Sequence, residues 1–191
     1  MNTQLNTFVV ADPHKCIGCK VCEVACAMAH SDRKITTAGT FETPVISKLY
    51  LVKTAEITMP IQCRHCEDAT CANVCPISAI KQVDNKILID ETTCIGCKTC
   101  MMACPFGAID LAPVFKEGAA VIQNILRVET TEGLIEKEMV VANKCDLCAG
   151  RVNGPACVEA CPEKALEVIT PKKEKKKRNI EAALSLKKFI G

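Results

Sequence analysis

The sequence predicts an α+β chain made of two similar units, one nested inside the other, with short hairpin insertions and a C-terminal helix. Three observations predict it. Sixteen of the 191 residues are cysteine, and they fall in four runs of four. The first and third runs repeat one another in eight of eleven positions. Short β-prone segments with turn residues between them separate the runs.

The third run sets the pattern. It reads Cys94-Ile95-Gly96-Cys97-Lys98-Thr99-Cys100-Met101-Met102-Ala103-Cys104-Pro105. This is the C-x2-C-x2-C-x3-C-P spacing of bacterial ferredoxins, which bind cubane iron–sulfur clusters. Three close cysteines can wrap three corners of one cluster, and the fourth reaches a different one. Proline then turns the chain away through its fixed φ.

Taken in order, Phe8–Ala11 reads as a strand leading into the first run. That run holds Cys16, Cys19, Cys22 and Cys26, with Ala27 in place of proline. An excursion follows from Ala27 to Gln62, in which Ser47–Lys53 alternates imperfectly and reads as a strand. The second run holds Cys63, Cys66, Cys71 and Cys75-Pro76, with a central gap of four residues. Ile80–Asp90 reads as a hairpin turning at Asp84-Asn85. Beyond the third run, Ala119–Val128 and Leu134–Val141 flank Glu132-Gly133 as a second hairpin. The fourth run holds Cys145, Cys148, Cys157 and Cys161-Pro162, with a central gap of eight. The segments from Cys75, Cys104 and Cys161 each read as a helical turn entering a strand. After Pro171 comes a charge run, Lys172–Arg178, and Asn179 is expected to cap a helix over Ile180–Ile190.

These boundaries predict an outer unit in two parts, residues 1–62 and 145–171. They predict an inner unit at 63–111, a hairpin insertion at 112–144 and a basic tail at 172–191.

Composition narrows the class. There is no Trp, one Tyr and five Phe, so metal ligation is expected to supply much of the folding energy. The N-terminus shows no export signal and no apolar run spans a membrane, so a reduced, cytoplasmic setting is expected. The low aromatic content argues against a base-stacking nucleic-acid surface. Net charge is +2, but residues 172–191 carry eight Lys or Arg against two Glu, leaving residues 1–171 at −4.

Sixteen thiols suit four [4Fe–4S] clusters with none left over. Cys-x2-Cys pairs also make zinc sites, but the ferredoxin spacing of two runs and the Cys-Pro ending of three favour iron. No Cys-x-x-Cys is followed by His, which excludes covalent haem. Two pairings fit the sharing of ligands. The second and third runs lie 18 residues apart around a hairpin, and read as one two-cluster unit. Its clusters would use Cys63, Cys66, Cys71 with Cys104, and Cys94, Cys97, Cys100 with Cys75. The first and fourth runs then give Cys16, Cys19, Cys22 with Cys161, and Cys145, Cys148, Cys157 with Cys26. The rival pairs the first run with the second and the third with the fourth.

Some neighbours of the thiols have expected roles. Gly18 and Gly96 let the backbone approach the sulfurs. Ile17 and Ile95 shield the clusters from water. Lys20 and Lys98 read as solvated, and His65 as a packed or hydrogen-bonded neighbour of the thiols. No Ser/His/Asp constellation, phosphate loop or molybdenum-binding signature is present, so no substrate site is expected.

The order of the four runs, the widened gaps of the second and fourth, and Ala27 in place of proline resemble a known subunit. It is the four-cluster iron–sulfur subunit of the molybdopterin oxidoreductase (DMSO reductase) family. The likeness is nearest to the soluble members serving formate hydrogenlyase, carbon monoxide-linked hydrogenase and hydrogen-dependent CO2 reductase, and covers residues 5–170. The resemblance implies nested pairing and pseudo-two-fold symmetry between the two ferredoxin-type units. It implies a non-catalytic electron-transfer subunit with four [4Fe–4S] clusters, wiring a molybdenum or tungsten formate dehydrogenase to a hydrogenase, with a second polyferredoxin subunit as a further partner. Two other readings stand beside it: a free polyferredoxin or formate dehydrogenase maturation factor, and a structural zinc protein. The basic tail is expected to dock on a partner or on another copy of the complex.

Overall fold

The computed structural model describes residues 5–190. The chain is mixed α/β, made of short elements between loops that carry the thiols. Strand β1, Phe8–Ala11, enters the first run, whose end forms helix α1, Val21–Ala29. Strands β2, Tyr50–Lys53, and β3, Thr58–Ile61, form a hairpin. The expected strand over Ser47–Lys53 thus begins only at Tyr50. Leu49 is buried instead, packed with Cys26 and Cys63.

The second run gives the short helix α2, Thr70–Asn73. Strands β4, Ile80–Val83, and β5, Lys86–Ile89, pair antiparallel across Asp84 and Asn85, both at positive φ. Those two residue types tolerate the left-handed conformation that a tight hairpin turn requires. Helix α3, Thr99–Ala103, ends the third run, and β6, Asp110–Pro113, follows.

The next segment is richer than its sequence suggests. The stretch from Ala119 divides into a two-residue strand and a long one. Strands β7, Phe115–Lys116, and β8, Ala119–Ala120, make a tiny hairpin. Strands β9, Ile122–Thr130, and β10, Gly133–Glu138, make the expected one. Strand β11, Val140–Asn143, then pairs with β6, so this insertion is closed at its base by a strand pair. Helix α4, Ala156–Ala160, and strand β12, Leu166–Ile169, complete the body.

Two long-range pairings position the thiols. Strand β12 pairs antiparallel with β1, placing Phe8 opposite Ile169. This joins the approach to the first run to the exit from the fourth. Helix α1 packs on α4, and α2 on α3. Burial follows the same division. One cluster gathers Val9, Cys22, Cys26, Leu49, Leu147, Cys157 and Leu166, and a second gathers Ile80, Ile87, Cys100, Ile109 and Ala142. Neither contains a buried aromatic ring, so cysteines occupy positions that large side chains fill elsewhere.

Two expectations are corrected. The Cys-Pro segments are turns, not helical: Ser78, Gly107 and Lys164 each donate from N–H to the carbonyl of the cysteine three residues back and have positive φ. The helical turn precedes the terminal cysteine because proline cannot extend it. In the tail, helix α5 spans Pro171–Ile190, beginning eight residues before Asn179. Proline suits the first helical position, and Lys, Glu and Arg are good helix formers. The charge run is therefore helical rather than a linker. The side chains of Phe189 and Ile190, part of the expected apolar stripe, lie outside those described; Ile180, Leu184 and Leu186 are exposed. Among the described residues no helix is long and apolar enough to cross a membrane.

Candidate metal centres

The first and third runs build the same local structure. Gly18 and Lys20 flank Cys19 at positive φ, and Gly96 and Lys98 flank Cys97 likewise. Two left-handed residues swing the middle cysteine outward, so Cys19 and Cys97 are exposed. The helix that follows turns Cys22 and Cys100 inward, where both are buried. Glycine is required at 96 for a second reason: a Cβ there would overlap the Val140 carbonyl. Lys20 and Lys98 also serve as the left-handed caps of α1 and α3.

The thiols converge across runs. One cavity is lined by Cys16, Cys19, Cys22 and Cys161. Another is lined by Cys75, Cys94, Cys97 and Cys100. Cys66 and Cys71 each lie within the field of Cys63 and of Cys104. Cys145 lies within the field of Cys157 and Cys26, and Cys157 within that of Cys26, Cys148 and Cys22. Eight of the sequence-predicted cysteines therefore line two shared cavities, and the other eight lie near one another in groups that each span two runs. Ile17 and Ile95 line the first two cavities, but 63% and 66% of their surfaces face solvent, so their shielding is partial.

The chemistry of the donors fits an iron–sulfur group. Burial pushes the Cys22 and Cys71 thiols up to about 11 and Cys157 to about 12, with neighbouring thiols adding to the rise. Four thiolates do not coexist in such a place without a cation to hold them. Backbone N–H groups already point at the sulfurs. Lys48 donates to Cys26 Sγ at 3.2 Å, His65 to Cys63 at 3.3 Å, Ala165 to Cys161 at 3.3 Å and Ala156 to Cys148 at 3.4 Å. Ala108 donates to Cys104 and Ala142 to Cys94, both at 3.4 Å. Such donors compensate thiolate charge and tune a cluster.

His65 is buried between Cys63 and Cys66, 1% exposed. Its Nδ1 accepts from the Ile87 N–H at 3.0 Å, while Nε2 has no protein partner among the described residues. Burial holds its pKa down at about 3, so the ring is neutral and Nε2 carries the proton. The packed reading of His65 is the one the geometry supports.

One network escaped the sequence reading. His30 Nε2 bonds Asp146 at 2.9 Å, and its Nδ1 lies 2.7 Å from the Cys26 carbonyl and 3.7 Å from Cys26 Sγ. Lys48 Nζ reaches Glu91 at 3.1 Å and Asp146 at 3.6 Å. Burial opposes the charged form of His30, but Asp146 and Cys26 raise it to about 10. His30 and Asp146 are 116 residues apart. No local pattern announces them; only the spacing of His30 four residues after Cys26, one helical turn, was legible.

Fold and thiols together define an iron–sulfur protein of ferredoxin type. The 4Fe-4S binding domain family matches at residues 13–29 and again at 87–110. The electron transport protein HydN of Escherichia coli K12 is 40% identical, over 85% of this chain and 87% of its own. Hydrogenase-4 component A of the same organism is 41% identical over 87% and 83%. Formate hydrogenlyase subunit 2, also from that strain, is 36% identical over 86% and 82%. The chain belongs to this family of ferredoxin-type iron–sulfur electron transport proteins.

Proposed function

We propose that the sixteen cysteines hold four [4Fe–4S] clusters in the nested pairing, and that the chain is the non-catalytic wire of a larger complex. The observation that carries this is the mixed membership of the thiol sets. Two cavities each join three cysteines of one run to one of another, the first run with the fourth and the third with the second, and Cys71 and Cys157 lie near cysteines of the same partner runs. The bound clusters supply one-electron relays. The chain's own residues fix their positions, exclude water from the middle of the row and direct N–H groups at the sulfurs. The sets containing Cys19 and Cys97 reach the surface, which suits them to exchange with partners.

The partners we infer are a molybdenum or tungsten formate dehydrogenase-type subunit and a hydrogenase, with a second polyferredoxin subunit in the same assembly. The names of two relatives, hydrogenase-4 component A and formate hydrogenlyase subunit 2, support the hydrogenase side. The formate dehydrogenase side, membership of the DMSO reductase family and pseudo-two-fold symmetry rest on the run order and spacing alone, and a cytoplasmic setting on the sixteen reduced thiols. Helix α5 is proposed to dock on a partner or a second complex through its exposed apolar residues.

Anaerobic co-purification tests the reading. A stoichiometric large redox subunit should accompany the chain, and that subunit's donor should reduce the clusters. A cluster-loaded chain that purifies alone, and is reduced only by small donors, would favour the free polyferredoxin.

A further inference from the structure

The body of the protein buries two lysines beside thiols, and they are partnered differently. Lys48 lies between two carboxylates, Glu91 and Asp146. Lys144 is more deeply buried, at 3% exposure, and among the described residues no carboxylate lies within ion-pair distance of it. Its Nζ donates to the Ile87 carbonyl and to the Cys145 carbonyl, the latter at 3.0 Å. Two neutral acceptors do not by themselves offset the desolvation of an ammonium, so its charge is available to a nearby anionic group.

The neighbours of Lys144 lead to the thiols. Ile87, which binds Lys144 through its carbonyl, binds His65 through its N–H. His65 stands between Cys63 and Cys66. The backbone N–H of His65 in turn donates to Cys63 Sγ at 3.3 Å. The other partner of Lys144, Cys145, opens the fourth run. Lys144 therefore touches the loop of one interior thiol set at Cys145 and is joined through Ile87 and His65 to Cys63 of the other.

We propose that Lys144 is the buried counter-charge of the group held by Cys63, Cys66, Cys71 and Cys104, raising that group's reduction potential and so setting the step between the two interior sites. This rests on the four-cluster reading above. Adding an electron adds a negative charge, and a fixed ammonium nearby favours the more negative state. An interior position sharpens the effect, because water does not screen it. Lys48 cannot play the same part as strongly, since two carboxylates already cancel its charge.

The test uses the full cluster-loaded chain, with Lys144→Met and Lys144→Arg. Methionine keeps an unbranched side chain of similar length without charge, and arginine keeps the charge. Iron is counted first in the unaltered chain; a count far below sixteen would overturn the four-cluster reading itself and leave this comparison without its subject. With iron intact, an EPR-monitored redox titration should find one cluster of Lys144→Met shifted to lower potential. About a tenfold change in its reduced-to-oxidised ratio is expected, equivalent to ~59 mV for one electron. Lys144→Arg should stay near the unaltered chain. Should Lys144→Met lose iron while Lys144→Arg keeps all four clusters at their potentials, the charge is again what the site requires. Unchanged potentials in an iron-replete Lys144→Met, or loss of iron in both variants, would overturn the proposal and leave Lys144 a packing residue.

Discussion

The two thiol sets at the surface and the two inside differ in a way that follows from spacing. The sets around Cys16–Cys22 and Cys94–Cys100 use the tight two-residue gaps. In both, the first cysteine is half-buried, the second exposed and the third buried. The sets begun by Cys63 and Cys145 have widened gaps, and neither has an exposed member. A tight loop has no chain left to fold over its own cluster, whereas a gap of four or eight residues covers it. Cationic side chains also stand near these thiols: Lys144 bonds the Cys145 carbonyl, His30 Nδ1 lies 3.7 Å from Cys26 Sγ, and the Lys48 ammonium lies within the field of Cys26. On the four-cluster reading, the surface sets suit contact with partners and the less exposed ones suit retention.

The largest expected effect is loss of the iron. Chelation under oxidising conditions should unfold the body cooperatively, followed by circular dichroism, because no aromatic core remains to hold it. A native-like apo-protein would break the premise that the interior sets hold the fold together.

Next comes a matched pair of serine substitutions. Cys145→Ser should remove iron and sharply lower expression of folded protein, since it leaves a buried site one ligand short. Cys97→Ser should retain most of its iron, because an exposed position admits water or the serine oxygen as a substitute. Iron analysis and thermal melts compare the two, and equal losses would erase the distinction between surface and interior.

A smaller contrast lies within the surface sets. Gly96→Ala should cost about 1–3 kcal/mol in denaturant unfolding, from its left-handed backbone and the overlap with the Val140 carbonyl. Gly18→Ala should cost less. Its φ is similar at +72°, but the added methyl meets side chains rather than backbone, Thr58 at 3.0 Å and Leu51 at 3.6 Å.

Smallest is removal of residues 172–191. Helix α5 holds no cysteine, so iron content should not change. Assembly with partners should weaken, and association should slow with salt, because exposed charges are screened within about 8 Å at physiological ionic strength. Unchanged assembly size in native mass measurements would mean that the helix is merely solvated.

Much of this was legible in the sequence because cysteine spacing is both local and chemical. Strand β1 and the β4–β5 hairpin fall where their patterns put them. The repeated Ile-Gly-Cys-Lys segment foretold two loops of the same build. What was illegible was long-range or competitive. The pairing of His30 with Asp146 depends on packing between the first and fourth runs, which no spacing encodes. Lys144 looks like any lysine beside a cysteine until burial is known. The start of α5 was missed because Asn179 is a good cap, yet Pro171 and seven charged helix formers win when the helix can extend back to them.

The nested pairing is the central claim, and Cys161→Ser tests it most directly. Cys161 lies more than 130 residues beyond Cys22, yet both line one cavity. In the reduced, iron-loaded variant, EPR should show one altered cluster, traceable by a matching change in Cys19→Ser. The signals lost or shifted by Cys97→Ser should stay as they are in the unaltered chain. A Cys161→Ser variant that disturbs the Cys97-dependent signal and spares the Cys19-dependent one would contradict the nested arrangement and establish the sequential one.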